Sequence, residues 1–133
     1  MGRRDVLAAV GGSLLGSLAG CSGPSFSDAD VLAGPSGRNV FEPAELSVSV
    51  GETVTWGFGS DGHNLCCRPD DHDEVKLPDG AEPFSSYAAD ESPARSLVPR
   101  GETYEYTFET AGEYHYVCTP HAFVGMQGTI RVE

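Results

Sequence analysis

The chain has 133 residues, 39% of them hydrophobic, which is enough for one globular domain with its own core. Eight basic residues stand against 20 acidic ones, and the formal net charge of -12 argues against nucleic acid as a partner, because phosphate binding needs a cationic surface. No apolar run reaches the roughly 20 residues of a membrane-spanning helix. The 17 glycines and 9 prolines disfavour a helical bundle.

Residues 1–20 predict an export signal. An Arg-Arg pair precedes a weak, Gly-rich apolar run with the length of a signal-peptide core, a pattern typical of twin-arginine signals. The run ends in Leu-Ala-Gly-Cys, which resembles a lipobox, so we expect cleavage before Cys21 and lipidation of its thiol. Residues 21–30 would then be the lipidated cysteine and a flexible polar tether that reaches roughly 17 Å. A plain N-terminal anchor with an incidental cysteine is the alternative.

Residues 31–133 predict an all-β sandwich. Apolar and polar residues alternate in several short runs, and Gly-containing turns separate the runs. Strands with one apolar face predict two packed antiparallel sheets. The segment 68–99 breaks the pattern and is rich in Asp, Glu, Pro and Ser, so we expect a long excursion with one short helix. The alternating runs are Leu46–Val50, Val54–Phe58, Tyr104–Phe108, Tyr114–Cys118 and Ile130–Val132.

A group of potential copper ligands lies near the end of the chain. Cys118 and His121 are three residues apart, and Met126 follows five residues later. A thiolate and imidazoles in a plane, with a weak axial thioether, form the blue-copper arrangement, whereas structural zinc sites favour a closed tetrahedral set without Met. A second imidazole must come from elsewhere, and His63 is the candidate. Pro120 would stiffen the turn after the cysteine.

The same segments identify a family resemblance. Phe-Glu-Pro from Phe41, Val-Gly-Glu-Thr-Val-Thr-Trp from Val50, the pair His63-Asn64 and the stretch from Cys118 to Met126 resemble the cupredoxins, halocyanin and plastocyanin in particular. The resemblance implies a Greek-key sandwich and one type 1 copper ion. It also implies a role for Asn64, whose backbone would donate to the thiolate while its side chain ties its strand to the cysteine loop. The implied ligands are His63, Cys118, His121 and Met126.

The region around His121 is predicted to meet redox partners. Val117 stands where plastocyanins have a surface Tyr, which puts their remote docking route in doubt. Apolar residues flank His121 instead, and an exposed apolar patch commonly marks a contact surface. We therefore expect partners to dock over His121, with Phe123 and Val124 as contacts.

The remaining cysteines and histidines are predicted to be structural. A disulfide between adjacent Cys66 and Cys67 would be strained, because neighbouring Cα atoms are about 3.8 Å apart and disulfides usually span 4.4–6.8 Å. We expect two thiols, one facing inward and one outward. His115 should face outward or the other side of the sheet, and His72, in an acidic stretch, should be solvated.

Together these features predict a monomeric one-electron carrier, lipid-anchored on the outer face of the cell membrane. It would serve redox proteins of a membrane electron-transport chain, with no small-molecule substrate and no enzymatic activity. A copper-delivering carrier or buffer is the alternative, and an adhesion lipoprotein with an accidental ligand pattern is a third. The acidity would suit either steering of a basic redox partner or solubility in concentrated salt. The resemblance to halocyanin favours solubility, because 1 M salt shortens the Debye length to about 3 Å and removes long-range steering.

Overall fold

The computed structural model describes residues 26 and 28–133, so the predicted signal peptide and Cys21 lie outside the described residues. Within them no helix is long and apolar enough to cross a membrane. In the part of the chain that the structure describes, two short 3₁₀ turns, Pro35–Gly37 and Ala122–Val124, accompany the strands. The strands of the described residues are β1 (Val31–Ala33), β2 (Phe41–Glu42), β3 (Glu45–Val48), β4 (Thr53–Phe58), β5 (Cys66–Cys67), β6 (Phe84–Ser85), β7 (Thr103–Thr107), β8 (Gly112–Val117) and β9 (Gln127–Val132).

The strands form two sheets, which confirms the predicted all-β sandwich. One sheet has the order β2-β1-β4-β7 and the other the order β3-β9-β8-β5-β6, so the chain changes sheets repeatedly. Neither sheet is purely antiparallel, because β1 runs parallel to β4 and β3 runs parallel to β9. Alternation of apolar and polar residues indicates which face of a strand is buried, and it carries no information on strand direction.

The core between the sheets is built around Trp56 of β4. Its indole is fully buried and packs edge-on against Tyr116 of β8, with ring centroids 5.5 Å apart. Phe84 of β6 packs against the same indole and stacks on Tyr106 of β7 at 3.8 Å. These aromatic contacts join both sheets and fix β8, the strand that leads into the candidate metal loop.

The excursion 68–99 is not the helix-containing loop that its composition predicted. It contains β6, which pairs with β5 at the edge of the second sheet, and no helix. One hydrogen bond of α-helical spacing occurs there, from the Ser96 amide to the Ser92 carbonyl, and does not propagate. Prolines recur through this segment and interrupt any longer helix, because each lacks the amide proton that a helix needs.

The excursion also covers two thiols. Cys66 and Cys67 are free, as predicted, but both are completely buried. Cys66 lies opposite Val117, on the outer face of the sheet, and Cys67 lies opposite the core residue Phe84. Tyr87 from the excursion lies against Cys66, and burial raises the pKa of both thiols. The outward-facing thiol is therefore enclosed rather than exposed.

Candidate metal centre

The loop between β8 and β9 carries three of the potential ligands. Cys118 follows β8 directly, and Met126 directly precedes β9. The Cys118 amide donates to the Met126 carbonyl at 3.1 Å, and the Met126 amide donates to the His121 carbonyl at 3.2 Å. The His121 amide donates in turn to the Cys118 carbonyl at 3.0 Å. These backbone bonds close the loop, so the three side chains are held in one place.

Two residues shape this loop in the way their chemistry dictates. Pro120 has a restricted φ between Cys118 and His121, which stiffens the turn. Gly125 ends the short 3₁₀ turn with a φ of 93°, a left-handed conformation that glycine adopts without steric cost. The chain can therefore reverse after the turn and return to β9.

His63 reaches the same point from the other side of the molecule. It lies in the connection between β4 and β5, where it forms an isolated β-bridge with Val98, and its carbonyl accepts a 2.8 Å hydrogen bond from the amide of Val98. Its side chain is only 2% exposed. The fold thus brings together residues that are 55 positions apart in the sequence.

The donor atoms of three residues converge. The Cys118 sulfur lies 3.5 Å from His121 Nδ1 and 3.8 Å from His63 Nδ1. All three ligand atoms lie within 4.8 Å of one another. An ion with bonds of about 2.0–2.3 Å, the lengths typical of nitrogen and sulfur on a first-row metal such as zinc, can reach all three atoms. Thiolate plus imidazole donors suit copper, and Met126, a residue with a soft thioether, is fully buried at the end of the same loop.

Burial makes a cation favourable at this site, because it shifts the pKa values of Cys118 and His63. It raises the pKa of the Cys118 thiol to about 11, while hydrogen bonds from the backbones of Asn64 and His121 act in the opposite direction. Burial also lowers the pKa of His63, and the nearby charge of His121 lowers it further, against a smaller opposite effect of Asp61. A cation compensates the thiolate and binds neutral imidazoles, so the environment fits a metal ion.

Asn64 connects three separate segments around the site. Its side-chain oxygen accepts a 2.9 Å hydrogen bond from the amide of Thr119, in the cysteine loop. Its side-chain nitrogen donates to the carbonyls of Pro93 at 2.7 Å and Ser96 at 3.1 Å. The tie to the cysteine loop was expected from the family resemblance. The tie to the excursion was not, since nothing in that acidic, irregular segment marks two carbonyls as partners.

Exposure differs sharply around the centre. Cys118 and Met126 are fully buried, whereas His121 is partly exposed. The next apolar side chains are open to solvent, Phe123 at 84% and Val124 at 54%. The outer edge of His121 therefore lies beside an exposed apolar surface.

The other predicted histidines lie apart from the centre. His115 hydrogen-bonds Thr129 and Gln127 across the strands, through both ring nitrogens. His72 accepts a 3.1 Å hydrogen bond from the Glu74 amide in the acidic stretch. Val117 is fully buried, so no surface route begins at its side chain.

Comparisons with known proteins point to the same chemistry. A sequence model of the copper binding proteins of the plastocyanin/azurin family matches residues 29–133. The chain is 41% identical over 106 residues to plastocyanin of Scenedesmus fuscus, covering 77% of this chain and 95% of that protein. It is 37% identical over 110 residues to halocyanin of Natronomonas pharaonis, covering 80% and 57%. The solved oxidized form of plastocyanin from Dryopteris crassirhizoma matches with a TM-score of 0.55 and 26% identity, covering 77% and 98%.

Proposed function

Because the chain belongs to the plastocyanin/azurin family of copper-binding proteins, we propose that it is a one-electron carrier held by a lipid on the outer face of the cell membrane. Its cofactor is one type 1 copper ion, and its class is that of copper electron carriers. The observation that carries the proposal is the convergence of the Cys118 sulfur with the Nδ1 atoms of His63 and His121.

Each ligand has a distinct role in this proposal. The Cys118 thiolate and the two imidazoles would hold the copper ion most strongly, and the Met126 thioether would be the weaker donor that tunes its potential. When bound, copper supplies a centre that exchanges one electron between its Cu(II) and Cu(I) states. His63, Cys118 and Met126 are enclosed, which favours retention of the ion and weighs against the alternative of a copper-delivering carrier.

The scaffold suits electron transfer because it resists rearrangement. The cysteine loop is closed by backbone hydrogen bonds at both ends, and Asn64 joins it to His63 and to the excursion. Ligand residues fixed in this way would move little between the two oxidation states of a bound copper ion, which would keep the reorganisation energy small. No substrate has to enter such a centre.

Partners are proposed to dock over His121. Phe123 and Val124 form an exposed apolar collar beside its ring, and association through apolar burial does not depend on unscreened charge. A docked redox protein of a membrane electron-transport chain would exchange electrons through the exposed imidazole edge. The buried Val117 offers no competing side-chain exit.

The anchor is proposed from the lipobox-like sequence that ends at Cys21. A single lipid chain binds membranes only marginally, so stable attachment would use more than one chain on this cysteine. Cys21→Ser should release the domain from membranes or leave an uncut precursor, with the copper centre intact. Mass spectrometry of the membrane-extracted protein measures this, and unchanged lipid attachment in the variant would contradict the assignment.

The absorption spectrum of the copper-loaded full-length protein tests the central proposal. The oxidised wild type should be intensely blue from charge transfer between thiolate and copper, and Cys118→Ser should abolish the band. Cys66→Ser is a matched control, because that thiol is equally buried but bonds the Arg68 carbonyl rather than a ligand. A colourless wild type, or a blue Cys118→Ser variant, would refute the type 1 assignment. Repeated redox cycling without copper loss separates a carrier of electrons from a carrier of copper.

A further inference from the structure

We propose that Ser60 is a positioning residue that fixes the tautomer and orientation of His63, and this inference rests on the proposed copper function. The Ser60 hydroxyl lies 3.0 Å from Nε2 of His63, on the side of the ring that faces away from Cys118. The same hydroxyl lies 2.7 Å from the carbonyl oxygen of Gly34. Ser60 thus bridges the imidazole to the turn that follows β1.

The two hydrogen bonds determine where the proton of the ring lies. A carbonyl oxygen can only accept, so the Ser60 hydroxyl donates its single proton to Gly34. The hydroxyl must therefore accept from His63, which places the ring proton on Nε2. In a neutral imidazole this leaves the lone pair of Nδ1 free, and Nδ1 is the atom that faces the Cys118 sulfur at 3.8 Å. The hydroxyl selects the tautomer that can bind the ion.

The backbone at Gly34 closes the other side of this arrangement. Gly34 has a φ of 71°, and a Cβ built on it would lie 2.4 Å from both His63 Nε2 and the Ser60 hydroxyl. Only a residue without a side chain leaves room for the bridge, so the glycine is required by close approach as well as by its backbone conformation. His63 is thereby clamped between the cysteine loop and the turn after β1.

The first experiment uses the copper-free protein, so its outcome is independent of copper binding. Correlation of the ring nitrogens and protons by NMR at neutral pH should show His63 protonated at Nε2 and unprotonated at Nδ1. In Ser60→Ala the Nε2 proton should exchange with water at least tenfold faster. Ser60→Thr, which keeps a hydroxyl, should restore slow exchange. A wild-type ring protonated at Nδ1, or exchange unchanged in Ser60→Ala, would overturn the inference.

The second experiment measures Cu(II) affinity by competition, together with the electron paramagnetic resonance spectrum. Ser60→Ala should lower the affinity about 10–100-fold, as is typical when a partner of a metal-binding histidine is removed, and should alter the copper hyperfine splitting. Ser85→Ala is the matched control, because its half-buried hydroxyl donates to the Tyr87 carbonyl and contacts no ligand. Wild-type affinity and splitting in Ser60→Ala would refute a positioning role.

A pair of glycine variants separates ligand displacement from backbone strain. Gly34→Ala and Gly37→Ala alter the same turn at similar left-handed backbones, with φ of 71° and 77°. An added Cβ at Gly37 has no atom within 4 Å, whereas at Gly34 it meets the ring. Gly34→Ala should therefore weaken Cu(II) binding at least tenfold more than Gly37→Ala. Equal losses would mean that the turn does not hold the ring. A wild type that binds no copper would defeat the proposed function, while the tautomer measurement would still decide the role of Ser60.

Discussion

The two imidazoles of the centre face different surroundings. His63 is 2% exposed, and its outer nitrogen is occupied by the Ser60 hydroxyl. His121 is partly exposed, and its ring has no hydrogen-bond partner for Nε2 among the described residues. The His63 side of the centre is therefore enclosed, whereas the His121 side is partly exposed to solvent. Rigidity and access, which an electron carrier needs together, are therefore provided by different ligands, His63 and His121.

The enclosed side around His63 is built from segments that are distant in the sequence. The turn after β1 contacts the ring of His63 through Ser60, and the excursion contacts the adjacent Asn64 through Pro93 and Ser96. The exposed side around His121, in contrast, is formed by a single loop that carries His121, Phe123 and Val124. A single loop is enough to present a surface, but fixing the far side of the His63 ring takes contacts from several elements.

Removing the hydrogen bonds of Asn64 should disrupt the enclosed side around His63 most strongly. Asn64 is itself fully buried, and Asn64→Ala deletes the acceptor for the Thr119 amide and the donor to two carbonyls. Each such bond contributes about 1 kcal/mol, and the orphaned amide adds a desolvation cost, so the free energy of unfolding should fall by about 2–4 kcal/mol. Denaturant unfolding of the copper-free protein measures it.

The same variant should also loosen the ligands. Without the tie, Cys118 and His63 lose their shared support, and the charge-transfer band of the oxidised protein should broaden. Asn39→Ala is the control, because Asn39 is exposed and its loss should change the free energy of unfolding by less than about 0.5 kcal/mol. If Asn64→Ala unfolded like Asn39→Ala, the three segments would be held together by other contacts.

The exposed side around His121 could be predicted from the sequence, whereas the contacts that enclose the His63 side could not. Cys118, His121 and Met126 occur within one loop, so their spacing alone indicates a shared ion. The alternating strands could be predicted equally well, since every second residue in them is apolar and marks the buried face. The excursion gave no such signal, because β6 and the carbonyls of Pro93 and Ser96 are defined by partners far away in the chain. It also encloses Cys66, which no local pattern predicts.

Ser60 shows the same limit in a single residue. A serine in a Gly-Ser-Asp-Gly stretch is ordinary turn chemistry, and the sequence gives no hint that its hydroxyl joins His63 to Gly34. The family resemblance identified His63 and Asn64 as important but not what holds the far side of the ring. Such second partners emerge only from the three-dimensional structure, since hydrogen-bond direction depends on geometry.

Charged substitutions in the apolar collar of Phe123 and Val124 should have a smaller effect, confined to the His121 side of the centre. Phe123→Asp and Val124→Asp each place a charge in a surface that a partner must desolvate, which should cost at least about 1.4 kcal/mol of docking energy, a factor of ten in affinity. Neither side chain is a ligand, so both variants should keep the blue spectrum. Electron exchange, measured as self-exchange or with a membrane partner, should slow about tenfold.

A control at the opposite end of the sandwich isolates the collar from general charge effects. Val50 is 48% exposed, close to the value for Val124, and its amide donates to the carbonyl of Glu133, beyond the end of β9 that lies away from the metal loop. Val50→Asp adds the same charge to the protein without altering the exposed side around His121. Its rate of electron exchange should therefore equal that of the wild type. High salt should leave the contrast in place, because apolar docking is not screened. If Phe123→Asp and Val50→Asp exchanged electrons at the same rate, the electron would leave by another face, and the exposed edge of His121 would not be the functional opening of the site.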